Sequence, residues 1–200
     1  NILWSLRLGF SSKEAQVISD LGLKKFLERS FESKPQTKSP DFLEDSPKTI
    51  EDFKQIRMQY KENNTEARKQ LRITEAKVSQ DMKAWWIDKM RTDEFPLREK
   101  MTCFWHNHFV ATFQKVKVNY YIYQHHQILE ENAFGNFKEL TKKILKSNAM
   151  VRYLDNTDNK RGKNNENLSR ELLELFTLGI GNYTENDIKN GAKALAGLGI

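Results

Sequence analysis

Glu166-Asn167-Leu168-Ser169-Arg170-Glu171-Leu172-Leu173-Glu174-Leu175-Phe176-Thr177-Leu178 runs directly into Gly179. Projected at 100° per residue, the stretch sorts into two faces. Leu168, Leu172, Leu175 and Phe176 make an apolar stripe with helical period, where a half-buried strand would alternate every second residue. Gly179 predicts the end of this helix, and the Asn164-Asn165 pair ahead of it offers side chains able to cap its first turn. Its polar face is unusual: Asn167, Glu171 and Glu174 fall within roughly 60° of one another, with Arg170 and Glu166 on the flank.

The same helical signals recur on both sides. Downstream, Thr184 and Asp187 in Tyr183-Thr184-Glu185-Asn186-Asp187-Ile188 have the spacing of a capping box, which predicts a helix running to Ala196-Gly197. Upstream, 155–162 has loop composition. Helices are expected over Phe137–Lys146, about Ala149–Tyr153 and over Tyr120–Asn132, with a break at Gly135. Pro96 opens another helix, on which Leu97, Met101, Phe104, Trp105 and His108 share one face while Phe109 and Phe113 lie on another, so it is expected to be central. Ile50–Arg91 contains neither Gly nor Pro and predicts one long helix, or two joined near Asn63-Asn64, with a solvated face of alternating charges. Three of the four prolines fall in Ser33–Lys48, the composition of a linker or long surface loop. Ser11-Ser12-Lys13-Glu14 has capping-box form ahead of a short helix that stops near Gly22.

No stretch holds strict apolar alternation, so the fold class is all-α: an irregular multi-helix bundle. Residues 1–32 supply N-terminal helices, 33–48 a Pro-containing linker or loop, and 49–200 the helical core, which forms one domain with 1–32. The chain stops right after a helix, at Leu198-Gly199-Ile200, which predicts a fragment of a larger helical protein.

Composition narrows the function classes. With 38% hydrophobic and 30% charged residues, no run approaches the ~20 apolar residues needed to cross a bilayer. The net charge of +6 is interleaved with acidic residues rather than gathered in a stripe, which argues against nucleic acid and leaves a protein or a small molecule as partner. Cys103 is the single cysteine, so an internal disulfide and a thiolate metal cluster are both excluded within one copy.

Two groups of residues have chemical potential. Glu171 and Glu174, one turn apart, can share a divalent metal or act as an acid/base pair; equally, Glu166 and Arg170 can form an ordinary i,i+4 ion pair with the glutamates solvated. His106 and His108 invite a metal reading, because imidazole ligates zinc, iron and manganese, but residues two apart on a helix point roughly 200° from each other. His108 lies on the apolar stripe and requires a hydrogen-bond partner, a part that an inward-facing Glu171 or Glu174 would serve. His125-His126, between Gln124 and Gln127, read as a polar face. The aromatics Trp85, Trp86, Tyr120, Tyr121 and Tyr123 read as packing rather than as a stacking platform.

Phe104-Trp105-His106-Asn107-His108-Phe109, Glu131–Leu140, Tyr153-Leu154-Asp155, Asn165–Gly179, Tyr183-Thr184-Glu185 and Ala194-Leu195-Ala196-Gly197 together resemble, in order and wording, the bacterial family known as domain of unknown function 1800. The likeness is specific from about Leu97 to Gly197 and fainter at Leu6-Arg7-Leu8-Gly9-Phe10, where the family carries a Phe-Gly pair. Members commonly have Pro-Asn-Glu-Asn where this chain has Asn164-Asn165-Glu166-Asn167. The resemblance implies a helical protein, exported to the periplasm or beyond and often encoded near a sulfatase-like secreted protein, with a second half that contains a His-Asp-rich segment and a Lys. It implies no particular reaction.

Two expectations follow. In the first, the protein is a metal-assisted hydrolase-type enzyme: Glu171 and Glu174, with His106 or His108, hold zinc, iron or manganese, Arg170 orients an anionic group, and a further half completes the site. In the second it is a non-catalytic interaction module of an exported protein, in which the His, Glu, Arg and Asn side chains, including Asn165, Glu166 and Asn167, form a buried structural network.

Overall fold

The computed structural model describes residues 1–59 and 65–199. Among these there is no β-strand, only an isolated antiparallel bridge between Lys160 and Lys163, and no helix is long and apolar enough to cross a membrane. In chain order the helices are α1 (Ile2–Leu8), α2 (Ala15–Leu21), α3 (Leu23–Glu32), α4 (Ile50–Gln59), α5 (Thr65–Thr92), α6 (Leu97–His108), α7 (Phe113–Val116), α8 (Asn119–Glu131), α9 (Phe137–Leu145), α10 (Asn148–Tyr153), α11 (Asn167–Glu171) and α12 (Glu185–Ala194). A π-helical turn, Leu172–Thr177, continues α11. The junction expected near Asn63-Asn64 lies outside the described residues.

Local signals decide many of the boundaries. Thr184 accepts from the backbone N–H of Asp187 while Asp187 accepts from that of Thr184, so the capping box forms as expected. Asn136 and Ser147 cap α9 and α10 by accepting from the N–H of Glu139 and of Met150, without a return bond. The box expected at Ser11-Ser12-Lys13-Glu14 does not form: Glu14 is buried and accepts from the Ser5 hydroxyl at 2.9 Å, a tertiary bond that takes the carboxylate away from the helix start. Gly22 still separates α2 from α3, at φ +79°, a value that L side chains rarely adopt.

The central helix is α8, packed against α5, α6, α7, α9 and α10, with Tyr121, Ile122, Tyr123, His125, His126, Leu129 and Glu130 all buried. This corrects the expectation for α6, whose buried residues are Leu97, Arg98, Glu99 and Thr102 while Phe104 is exposed. Leu97 of the predicted stripe is buried and Trp105 packs on the core, but the inward face also takes in Arg98 and Glu99, which find partners inside the protein. Two apolar clusters flank α8. One joins Phe109, Leu129, Leu140, Ile144, Met150, Leu168 and Phe176; the other joins Val116, Val118, Tyr121, Ile122 and Ala149.

Residues 33–49 are not a free linker. Leu43, Ser46 and Pro47 are buried, the Arg98 guanidinium donates to the Ser33 carbonyl, and the Gln36 N–H donates to Glu130 Oε1 at 3.0 Å. Nor is α5 uniformly solvated: Glu75 and Ser79 are buried, and Asn119 Nδ2 donates to Glu75 Oε2 at 2.8 Å. Polar residues of α5 meet polar residues of α8, which is why the charge pattern misleads there.

At the other end, α12 rests on α11 so closely that a Cβ placed on Gly191 would lie 2.2 Å from Ser169 Oγ. Ser169 is buried and donates to the Ile188 carbonyl. We expect Gly191→Ala to destabilise the protein by about 2 kcal/mol despite alanine's better helix propensity, because overpacking outweighs the gain. Ser169→Ala/Gly191→Ala should recover most of that loss, as thermal melts of the two variants will show.

Candidate functional site

The polar face of α11 is organised on the surface. Arg170 reaches Glu166 at 3.4 Å and both carboxylate oxygens of Glu185 at 2.9 and 3.0 Å. Glu174 accepts from the Tyr183 hydroxyl at 2.6 Å, and Glu171 is half-buried. The Asn167 N–H is capped by Asn165 Oδ1, and the Asn165 N–H donates to buried Asn159 Oδ1. Asn159 donates to the Ala192 carbonyl of α12 and Asn156 to the Leu195 and Leu198 carbonyls just beyond it, so Asn165 belongs to a structural stitch between the 155–165 loop and the end of that helix.

His108 does approach this segment, but through the backbone. Its Nε2 donates to the Phe176 carbonyl at 3.0 Å, among the rings of Trp105, Phe109, Phe137 and Phe176. The π-turn explains the change of partner. Its backbone bonds reach five residues, as in Leu178 N–H to the Leu173 carbonyl at 2.9 Å, so the 100° projection fails beyond Leu172. The carbonyl of Phe176, in the last turn of the segment, is then open to an outside donor.

His106 points elsewhere, toward α5 and α8. The expected grouping of Glu171 and Glu174 with His106 or His108 is therefore not assembled: His106 bonds to His126 and His108 to the Phe176 carbonyl, and among the described residues neither ring is hydrogen-bonded to either glutamate. Among the described residues no three His, Cys, Asp or Glu side chains converge on a common metal position.

What α5, α6 and α8 assemble instead is a buried polar cluster. Helical spacing places Trp85, Trp86 and Lys89 on one face of α5, Glu99 and His106 on one face of α6, and His126 and Glu130 on one face of α8. The Lys89 ammonium pairs with Glu99 Oε1 at 2.7 Å and with Glu130 Oε1, two carboxylates that are each 1% exposed. Trp86 Nε1 donates to Glu99 Oε2 at 2.8 Å. Arg98, over the Phe134 ring, donates to the Glu130 backbone carbonyl at 2.9 Å. Two cations and two anions thus balance inside the protein, as buried charges must.

The histidines adjoin this charged group. His106 Nε2 and His126 Nδ1 are 3.2 Å apart, with the rings stacked, and Trp86 packs on both. Trp85 packs on His126 and Tyr123. His125 donates from Nε2 to the Phe109 carbonyl at 2.8 Å. This corrects the polar-face reading of His125-His126: both are buried, held by α5 and α6 packing over them. Burial strips water from the imidazolium form and so pushes His125 down to about 4 and His126 down to about 3, the latter also repelled by Lys89; His106 is held well below the usual histidine range for the same reason. All three rings are neutral at pH 7.

His106 and His126 line a cavity of about 290 Å³ together with Trp85, Trp86, Met82, Ile122, Phe113 and Ala111. Ser79, Thr112 and Gln114 contribute its remaining polar groups, with Lys83 exposed. The sequence carries signals for this site: His126 and Glu130 at i,i+4, Trp86 and Lys89 at i,i+3, and Glu99 and His106 at i,i+7. None singles itself out until three helices are packed together.

A family model described as "Protein of unknown function (DUF1800)" matches residues 1–200. No curated protein and no solved structure matches the chain.

Proposed function

The chain belongs to this DUF1800 family, and from that premise, which brings no reaction with it, we propose that the protein holds a small neutral molecule with a flat apolar body and a hydroxyl group in the cavity beside Trp85 and Trp86. The observation that carries this reading is the stacked pair of uncharged imidazoles, His106 and His126, on the wall of a cavity whose other lining is mainly aromatic and aliphatic. A concave apolar site with a few convergent polar groups and perturbed titration is the physical signature of ligand binding. Its volume of about 290 Å³ suits a single ring rather than a sugar chain or a dinucleotide. A charged ligand would shed its water without meeting a buried counter-charge, since Lys89 and Arg98 together already balance Glu99 and Glu130.

Phenol is the probe. Titrated into the protein and followed by tryptophan fluorescence and by histidine ring NMR signals, it is expected to saturate with a dissociation constant of about 1 mM, reasonable for so few atoms. Ala111→Leu, which fills the cavity, should weaken binding at least ~10-fold with little change in melting temperature. No saturation at ~10 mM, with the His106 and His126 signals unmoved, would assign the pair to packing alone.

A further inference from the structure

His106 and His126 share one hydrogen bond, so one ring offers an N–H and the other a bare nitrogen. What stands behind them decides which. His126 is 4% exposed, and while its Nδ1 faces His106, its Nε2 has no hydrogen-bond partner and lies 3.7 Å from Glu130 Oε2. A lone pair on that Nε2 would face the negative charge of the carboxylate; an N–H there would be attracted to it. The competing donor, the Lys89 ammonium, is drawn to Glu99 Oε1 at 2.7 Å and to the other Glu130 oxygen, Oε1, which also accepts from Gln36 N–H. Arg98 reaches the Glu130 backbone carbonyl and is turned toward Ser33.

We infer that Glu130 is a positioning residue that sets the tautomers of both rings and thereby the specificity of the cavity: His126 carries its proton on Nε2, its bare Nδ1 accepts from His106 Nε2–H, and His106 is left with a bare Nδ1. A ring with one free acceptor selects a hydroxyl donor over an ether of the same shape. The tautomer assignment stands on the cluster geometry alone; the selectivity rests on the ligand reading above.

Two measurements test this and separate the two readings. Nitrogen-resolved NMR of the histidine rings in the wild-type protein at pH 7 should find His126 and His106 both neutral, protonated on Nε2 and bare on Nδ1. A proton on Nδ1 of His126 overturns the inference, whatever binds. Affinities for phenol and for its methyl ether, anisole, should differ by about tenfold or more in the wild type, because a site built around a hydrogen bond rejects the analogue lacking it. In Glu130→Gln, whose amide offers the ring either an oxygen or an N–H, that preference should shrink to about twofold. Equal wild-type affinity for the two probes overturns the inference and leaves the ligand reading standing. If neither probe binds, the ligand reading falls, and the ring spectrum still decides the tautomers.

Discussion

Acidification from pH 7 to pH 4 is expected to remove most of the protein's stability. The sign follows from the buried histidines. Their ordinary value is about 6.5, whereas His125 is pushed down to about 4 and His126 to about 3 in the folded protein. Above about pH 7.5 neither state binds these protons appreciably and the rings contribute almost no pH dependence. Between pH 6.5 and 4 the unfolded chain takes up protons that the folded one refuses, so each ring shifts the balance toward unfolding by about 1.4 kcal/mol per pH unit. By pH 4 His125 alone accounts for about 3 kcal/mol and the pair for about 6, against a typical total of 5–15 kcal/mol. Glu75 and Glu99 act in the opposite sense, because burial raises their pKa and acid relieves a cost already present. Urea unfolding at pH 7, 6, 5 and 4 checks the prediction. His125→Gln, whose amide can still donate to the Phe109 carbonyl, should lose roughly a third of the pH dependence, because His106 and His126 keep theirs. A wild-type stability that stays level from pH 7 to pH 4 would contradict the buried, neutral assignment.

These histidines also mark the limit of what the sequence discloses. Features fixed by contacts a few residues apart are legible in it: the Thr184–Asp187 box forms, Glu166 pairs with Arg170, and α9 and α10 stop within a residue or two of their expected ends. Features fixed by distant partners are not. Glu99, Glu130 and Lys89 each look like solvated charges until they meet, and His125-His126 beside two glutamines look like a polar face until α5 and α6 cover them. The same competition between local and tertiary bonds draws Glu14 away from its capping role to Ser5. For Glu174 the reason is geometric, since projection at a fixed angle assumes an α-helix and the π-turn changes the angle after Leu172. Glu174 thus ends at the Tyr183 hydroxyl, while the buried histidines gather where α5, α6 and α8 meet.

Replacing Lys89 by methionine should reverse the pH response as well as lower stability. The ammonium is the shared partner of two carboxylates, Glu99 and Glu130, that are almost wholly buried. Methionine keeps much of the side chain's bulk but leaves those carboxylates facing one another with no cation between them. Removing one member of a buried charge group costs about 3–5 kcal/mol, chiefly because the remaining charge is uncompensated. Glu99 is the weaker-held anion: Glu130 retains the Gln36 N–H and the stronger attraction of Arg98, whereas Glu99 retains the Trp86 indole and a weaker attraction to Arg98. Burial already raises the Glu99 pKa, and loss of Lys89, which lowers it, should raise it further. A carboxyl whose folded pKa exceeds its unfolded value takes up a proton on folding, so the penalty is full at high pH and is relieved as pH falls through the folded value. Lys89→Met should therefore become more stable from pH 8.5 toward pH 7.5, a range over which the histidines contribute little and the wild type is nearly level. Lys89→Met/Glu99→Gln, in which the glutamine oxygen still accepts from Trp86, should regain most of the lost stability and show no such rise. If the single variant is as stable as the wild type at pH 8, the cluster is open to water and the balance of charges inside the three-helix junction is not what holds α5 to α6 and α8.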